Sequence, residues 1–262
     1  TAQIGGLMRK ETEHFIDDVT WNAPGDFQTL LTTPTTWVNG PLATFYGIAG
    51  IGGEAFQKVK LDATRHAGLL TQPTFLAGRS HSSSTSPVHR GLWVFQRLLC
   101  GRMEPPPLNV VVPLPPVLPA TATTRQRYEQ HLSDPSCVTC HRDIDPIGFA
   151  FEHYDTTGAW RDTENGQKID ATGEIFKTDA KGKFDGAIEL AARLAGSQDA
   201  KNCFVGNWAT FAYGRSETPD DACTHRSLQD AFARAKGNVP ELLIALTQTD
   251  AFLYRPIVEV QP

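Results

Sequence analysis

Long hydrophobic runs are missing from this chain. None of its apolar stretches approaches the roughly 18 residues that a membrane-spanning helix requires, and the most apolar stretch, residues 110–114, is interrupted by proline. The sequence therefore predicts no transmembrane segment. Blocks of one charge are missing as well, because acidic and basic residues are interleaved along a chain whose formal net charge is −5. This distribution disfavours nucleic-acid binding.

Several enzyme motifs are also absent. The sequence has no Gly-x-Ser-x-Gly nucleophile elbow, no phosphate-binding loop and no His-Glu-x-x-His zinc motif. Asp143, Asp145 and Asp155 lie near one another in the sequence, but they lack the spacing of a calcium-binding EF-hand. Because aspartate commonly caps turns, we interpret all three as turn residues.

Cysteine is scarce, but two of the five cysteines carry most of the functional information. They lie in the pentapeptide Cys137-Val138-Thr139-Cys140-His141. Two thiols three positions apart on one helical turn can each add to a vinyl group of haem, and the adjacent imidazole can bind the iron. The pentapeptide therefore predicts one haem c, attached covalently through Cys137 and Cys140, with His141 as the proximal ligand.

Other roles of this cysteine pair fit the surrounding sequence less well. A structural zinc site requires a second pair of ligands, and no second Cys-x-x-Cys is present. A thioredoxin-like redox pair requires a βαβ context, whereas a short polar helix and Asp134-Pro135 precede this pair. A disulfide between the two cysteines remains open, but it gives His141 no role.

The three remaining cysteines predict one disulfide and one free thiol. Cys203 and Cys223 flank a predicted helical segment, and we expect a bridge between them that contributes about 3 kcal/mol in the chain-entropy model. An exported setting permits this bond, and the alternative is two buried free thiols. Cys100 would then be the odd thiol, buried in the apolar string Leu98-Leu99-Cys100.

The second axial ligand of the iron has three candidates. Class I cytochromes use a methionine C-terminal to the attachment site, and this chain has none after Cys140. We rank His81, in a serine-rich loop, first as the distal ligand, Met103 second and an open position third. Histidine lowers the reduction potential and methionine raises it, whereas an open position permits oxygen or peroxide chemistry. His131 and His153 are expected to be too close in sequence to reach the opposite face of the haem.

Two further kinds of haem contact are predicted. A proximal imidazole normally donates its second N–H to an oxygen acceptor, and the stretch after His141 resembles the corresponding stretch of small cytochromes c. We therefore expect the Pro146 carbonyl to accept this hydrogen bond. The haem propionates require charged partners, for which Arg142, Arg161 and Arg90 are available.

The periodicity of apolar residues predicts a mainly α-helical protein. Asp26 is a predicted N-cap, and Asn165-Gly166 predicts a hairpin with a type I′ turn. Seven prolines between residues 104 and 119 exclude a helix or a central strand there and predict a polyproline II strap. The predicted helices cover residues 3–18, 26–31, 37–46, 88–100, 123–132, 186–195, 203–213, 224–235 and 240–252.

Motifs distributed along the whole chain resemble one protein family, the planctomycete and myxobacterial cytochrome c family. Its members are built from the domains of unknown function 1592, 1588 and 1585. The resemblance implies a secreted or periplasmic monohaem protein. The motifs are Gly68-Leu69-Leu70-Thr71, Thr85-Ser86-Pro87-Val88-His89-Arg90-Gly91, Leu98-Leu99-Cys100 with Pro105-Pro106-Pro107, Cys140-His141-x-x-Ile144-Asp145-Pro146-Ile147-Gly148-Phe149-Ala150-Phe151-Glu152, Asp155-x-x-Gly158-x-x-Arg161, Ile169-Asp170-Ala171-Thr172-Gly173 and Tyr213-Gly214-Arg215.

We expect three parts along the chain. An N-terminal helical lobe covers residues 1–67, a loop, a helix and the proline-rich strap cover residues 68–120, and a cytochrome-c-like helical domain that binds haem covers residues 121–262. The resemblance places the haem-bearing block at residues 68–165. The sequence starts at Thr1 without a signal peptide, and haem c is attached outside the cytoplasmic membrane. We therefore expect a removed leader or a longer parent chain.

The predicted function is single-electron transfer by a periplasmic or extracellular monohaem c-type cytochrome. It would act alone or as a subunit or domain of a larger assembly, and we expect an electron-transfer protein rather than an enzyme. Its expected partners are redox proteins, in a membrane-associated or extracellular complex, and not nucleic acids. Two alternatives stay open: a haem enzyme of the peroxidase or oxygenase type with an open axial position, and a structural or interaction module.

Overall fold

A computed structural model describes residues 2–22, 24–103 and 118–254 of the 262-residue chain. These residues form a mainly α-helical protein with small two-stranded antiparallel sheets, which confirms the predicted fold class. The predicted proline-rich strap lies for the most part outside the described residues.

The helices account for most of the architecture. The helices are α1 (Ala2–Asp17), α2 (Phe27–Thr32), α3 (Gly40–Tyr46), α4 (Pro73–Gly78), α5 (Pro87–Arg97), α6 (Thr124–Ser133), α7 (Pro135–His141), α8 (Asp145–Phe149), α9 (Gly186–Gly196), α10 (Gln198–Tyr213), α11 (Ala222–Arg234), α12 (Val239–Thr247) and α13 (Asp250–Leu253). The two longest, α1 and α10, have 16 residues each. Within the described ranges, no helix combines the length and the apolar character needed to cross a membrane.

The strands form three two-stranded antiparallel sheets in the described residues. The hairpin predicted at Asn165-Gly166 is confirmed, because these two residues have φ values of +50° and +79°, as a type I′ turn requires. The other two strand pairs were not predicted. The strands are β1 (Thr35–Val38) with β2 (Gln57–Lys60), β3 (Thr163–Glu164) with β4 (Gln167–Lys168), and β5 (Thr172–Ile175) with β6 (Gly182–Asp185).

Side-chain caps set several helix boundaries. The predicted N-cap Asp26 accepts a hydrogen bond from the backbone N–H of Thr29 at 2.8 Å, so α2 begins directly after it. The helix predicted over residues 37–46 is shorter than expected. Asn39 caps α3 by accepting from the N–H of Leu42, and Pro41 suits the first helical turn. Residues 37 and 38 therefore belong to β1.

Two glycines allow α5 and α8 to pack with their backbones in contact. A Cβ atom on Gly91 would lie 2.0 Å from the carbonyl oxygen of Ile144, and one on Gly148 would lie 1.9 Å from that of Pro87. No other residue fits such an approach without moving the backbone. This contact holds α8 against α5 and keeps Asp145, the first residue of α8, fully buried.

A buried arginine ties α5 to the segment that follows α8. Arg90 is 0% exposed, and its guanidinium donates to the carbonyl oxygens of Leu76, Phe151, Tyr154 and Asp155. Burial lowers the pKa of Arg90 to about 10, which leaves it charged at neutral pH. A buried cation requires this degree of hydrogen bonding. Arg90 therefore has a structural role, and its donors are not available to a haem propionate.

The disulfide joins Cys100 to Cys203, so the predicted bridge between Cys203 and Cys223 is wrong. Cys100 follows α5 and lies against the buried Cys203 of α10, with 5.4 Å between the two Cα atoms. Asn207, one turn further along α10, donates to the carbonyl of Arg97 at 2.9 Å and holds the same helix contact. Cys223 is exposed at the start of α11. Tertiary contact between α5 and α10, rather than nearness in sequence, selects the pair.

The N-terminal part has a small core of its own and one buried acid. Met8 and Val38 belong to this cluster between α1, β1 and α3. Glu11, in α1, is 1% exposed, and Thr36 and Tyr46 donate to its two carboxylate oxygens at 2.6 and 2.7 Å. Burial raises the pKa of Glu11 to about 7, against the opposing effect of the two hydroxyl donors.

Replacing Glu11 by glutamine is expected to remove part of the pH dependence of stability. The pKa of Glu11 is raised from 4.5 to about 7, so the folded state holds this proton more tightly than the unfolded state. The resulting stabilisation is fully present below pH 4.5 and is lost as the pH rises through 7. Relative to Glu11→Gln, the wild type should lose about 3 kcal/mol of its free energy of unfolding over this interval. Urea unfolding at several pH values measures the difference.

Glu13→Gln is the matched control for this prediction, because Glu13 is exposed on the same helix and pairs with Arg9. It should follow the wild type at every pH. Equal pH profiles for the wild type and Glu11→Gln would contradict the prediction.

Candidate functional site

The Cys-x-x-Cys pair lies on the short helix α7. Asp134 caps this helix by accepting from the N–H of Ser136, and Pro135 occupies its first turn. Cys137 and Cys140 are therefore three positions apart in helical geometry, which places both thiols on one side of α7. Both are free and partly exposed, so a group outside the chain can reach them.

His141, the last residue of α7, is held by a buried carboxylate. Its Nδ1 atom lies 2.9 Å from Oδ1 and 3.1 Å from Oδ2 of Asp145. Asp145 is 0% exposed and follows His141 by four residues. An ionised carboxylate only accepts hydrogen bonds, so Nδ1 carries the proton and the lone pair of Nε2 is left for a metal.

A second imidazole shares the same carboxylate. Nδ1 of His131 lies 3.1 Å from Oδ2 of Asp145, and the rings of His131 and His141 are 4.1 Å apart. The ring of Tyr128 meets the ring of His131 edge-on at 5.2 Å. His131, His141 and Asp145 thus bring three possible metal ligands together.

Sequence reasoning missed the roles of Asp145 and His131. It interpreted Asp145 as a turn residue, and it considered His131 only as a distal ligand and set it aside as too close in sequence. The spacing of four residues between His141 and Asp145 was visible in the sequence. The contribution of His131 required the tertiary arrangement of α6, α7 and α8.

The carbonyl of Pro146 is not the partner of the His141 ring nitrogen, which instead faces the Asp145 side chain. The Pro146 carbonyl lies against Gly173 of β5. A Cβ atom added to Gly173 would lie 2.1 Å from the carbonyl oxygen of Pro146. Helix α8 begins at Asp145, and the turn before it directs the Asp145 side chain toward α7. The carbonyl of Pro146 is not directed toward α7. The prediction named the correct neighbourhood but the wrong acceptor.

The candidate distal ligands have other neighbours. His81 is exposed, and its ring meets that of His89 at 5.3 Å. Met103 is partly buried and packs against the main core. Among the described residues, His81 does not join the cluster of His131, His141 and Asp145, and the distal position stays a prediction.

The two arginines predicted to hold the propionates differ in availability. Arg142, directly after His141, is exposed, with its guanidinium 4.8 Å from the centre of the Phe176 ring. Arg161 is already engaged, because its guanidinium pairs with Glu152 and Glu164 and donates to the Glu152 carbonyl. The geometry therefore favours Arg142 over Arg161 as a contact for an anionic group near α7.

The donor set at α7 fits a covalently attached haem. The thiols of Cys137 and Cys140 are free and partly exposed, while the sulfurs of Cys100 and Cys203 are joined in a disulfide. His141 follows directly and is fixed by Nδ1, as a proximal ligand requires.

Three family models match the chain. The model described as "Protein of unknown function (DUF1592)" matches residues 1–48, DUF1588 matches residues 66–164 and DUF1585 matches residues 181–252. The DUF1588 match includes α7 and Asp145. No curated protein and no solved structure matches the chain. The three matches occur in the order expected from the sequence motifs, and the chain belongs to the family of proteins built from domains of unknown function 1592, 1588 and 1585.

Proposed function

We propose that this protein is an exported monohaem c-type cytochrome that transfers single electrons. Cys137 and Cys140 would hold the haem through thioether bonds, and His141 would bind the iron. The observation that carries the proposal is a pair of free thiols on one helical turn beside a histidine whose Nδ1 is fixed by a fully buried carboxylate.

The residues of the chain divide the work at this site. When bound, the haem supplies an iron that alternates between two oxidation states. His141 presents Nε2 because Asp145 accepts from its Nδ1. A carboxylate acceptor makes an imidazole a stronger electron donor than a neutral carbonyl does. Asp145 therefore favours the more highly charged, oxidised iron, which corresponds to a lower reduction potential.

The cysteines outside the pentapeptide support the exported setting of the proposal. Disulfides persist in oxidising compartments and are rare in the reducing cytosol, and a disulfide joins Cys100 to the buried Cys203. Maturation of haem c in the same compartment is consistent with this bond. We propose redox proteins as the partners, alone or within a larger assembly.

The proposal is tested on protein expressed behind an export signal in a host that matures c-type cytochromes. We expect purified protein to be coloured, to stain for haem after denaturing electrophoresis and to gain the mass of one haem. A mass equal to that of the bare chain would overturn the proposal. Electron paramagnetic resonance of the oxidised protein identifies both axial ligands. Ready binding of carbon monoxide or cyanide would instead support a haem enzyme with an open position.

A second candidate function is the binding of a divalent transition-metal ion by His131, His141 and Asp145. Their ligand atoms lie 2.9–3.1 Å apart across the two His–Asp contacts, close to the separations of roughly 3.3 Å between ligands of a tetrahedral zinc ion. This role uses Nδ1 of each histidine and leaves the thiols without a function. Stoichiometric zinc in purified, haem-free protein, lost in His131→Ala, would favour it.

Replacing Asp145 by asparagine is expected to raise the reduction potential of the haem-loaded protein. The substitution removes a negative charge in contact with His141 but keeps an oxygen acceptor for Nδ1. We expect a rise of about 60 mV, which corresponds to a tenfold change in a one-electron equilibrium. Spectroelectrochemical titration measures the midpoint.

Asp143→Asn is the control for the potential, because it removes the same charge two residues away, where the carboxylate pairs with Lys177. Its midpoint should stay close to that of the wild type. Equal shifts in both variants would show that Asp145 acts only through its charge at a distance, and not through His141.

A further inference from the structure

A cavity of about 360 Å³ lies apart from the candidate haem site. Its walls come from α1, β1 and α3 and from two later segments, residues 61–73 and 158–160. It therefore lies where the regions matched by the first two family models meet. Pockets for small ligands typically start at about 300 Å³. The volume is sufficient for one or two sugar rings.

One wall of the cavity is a continuous network of buried and partly buried polar groups. Thr36 and Tyr46 donate to Glu11, and the side-chain amide of Gln72 donates to the hydroxyl of Thr36 at 3.1 Å. Thr12 in turn donates to the amide oxygen of Gln72. Burying such groups is unfavourable unless they are paired. A core would not require them, whereas a ligand with several hydroxyl groups would use their remaining lone pairs.

Aromatic side chains form another part of the lining. Phe45 lies at the cavity with 40% of its surface exposed, and its ring meets that of Tyr46 at 5.5 Å. Trp160 contributes from the opposite segment and is fixed by a stacked contact with His153. Apolar faces beside converging polar groups are typical of a site that orients a small molecule.

The charges around the cavity do not favour a strongly ionic ligand. Arg65 is paired with Asp62, with 3.7 Å between Nε and Oδ2. His66 is half-buried, and burial lowers its pKa, so it is neutral at pH 7. Glu11 already accepts two hydroxyl hydrogen bonds. An anion would find no unpaired cation in this lining, and a cation would compete with the two donors that hold Glu11.

We propose that this cavity binds a neutral sugar, either free or as the end of a glycan. The hydroxyl groups of the sugar exchange hydrogen bonds with Glu11, Tyr46 and the threonine hydroxyls, and one face of the ring covers the exposed surface of Phe45. The proposal does not depend on haem, because the cavity shares no lining residue with α7.

The test measures binding to the purified full chain by calorimetry and by saturation-transfer NMR. The neutral probes are glucose, xylose, mannose, galactose and cellobiose. Glucosamine and glucose 6-phosphate present the same ring with a positive or a negative charge. We expect at least one neutral sugar to bind with a Kd in the millimolar range or tighter, and both charged analogues to bind at least tenfold more weakly than glucose or not at all.

Two variants locate the binding. Tyr46→Phe removes one hydroxyl from the wall, and Phe45→Ala removes an exposed ring without disturbing the core; each should weaken binding at least fivefold. Tyr213→Phe is the control, because it removes a partly buried hydroxyl that bonds to Thr249 far along the chain. Absence of binding by every neutral probe, tighter binding of a charged analogue, or unchanged affinity in Phe45→Ala would overturn the proposal.

Discussion

Replacing Cys137 and Cys140 together by serine is expected to abolish covalent haem attachment. Serine hydroxyls do not form thioether bonds with the vinyl groups, so the protein should be colourless after denaturing electrophoresis and have the mass of the bare chain. The substitutions are nearly isosteric, and both side chains are partly exposed on α7, so the fold should be retained. Mass spectrometry and circular dichroism of the same sample measure both outcomes.

The single variants make this prediction sharper. One remaining thiol can still form one thioether, so Cys137→Ser and Cys140→Ser should each retain covalent haem at a lower yield. Cys223→Ser is the matched control, since it removes an exposed thiol outside the pentapeptide, and it should stain like the wild type. Full covalent loading of the double variant would refute attachment at α7.

Removing the disulfide is expected to have the next largest effect, on stability. The bond between Cys100 and Cys203 closes a loop with a sequence separation of 103, and the chain-entropy model gives about 4.7 kcal/mol for a loop of roughly this length. Because native strain and structure in the unfolded chain reduce such values, we expect Cys100→Ser with Cys203→Ser to lower the free energy of unfolding by about 2–5 kcal/mol. Urea unfolding of the wild type and the double variant measures the loss.

The pairing itself can be checked with the same series. Each single variant should lose about as much stability as the double variant, because either substitution breaks the one bond. Cys223→Ser should unfold like the wild type. A loss of stability in Cys223→Ser that matches the loss in Cys203→Ser would restore the pairing first predicted from the sequence.

Helices and the hairpin were predicted well because their signals are local. Asp26 marks the start of α2 through its own side chain, and a capping box of Thr123 and Gln126 starts α6. Asn165 and Gly166 tolerate positive φ, which selects the hairpin turn whatever surrounds it. Such features depend on a few neighbouring residues, so periodicity and residue type are sufficient to find them.

The environment of His141 could be predicted only in part. The pentapeptide placed the thiols and the imidazole, and these side chains lie on α7 as expected. The acceptor for His141 was assigned to Pro146 by resemblance, and the structure places Asp145 there instead. The choice between two adjacent residues depends on the orientation of α8, which is set by the close contact of Gly91 and Gly148 with the opposite helices.

The sequence by itself determined the helical class of the protein, the family and the position of the Cys-x-x-Cys-His segment, because each of these is carried by local periodicity or by short motifs of neighbouring residues. The tertiary structure alone decided that Cys100 meets Cys203, that His131 joins His141 on one buried carboxylate, and that Glu11 and Trp160 line one cavity. The two cysteines and the two cavity residues are more than a hundred positions apart in the chain, and His131 and His141 lie on different helices. Only the packed arrangement of the helices, which buries their apolar faces together, brings them into contact.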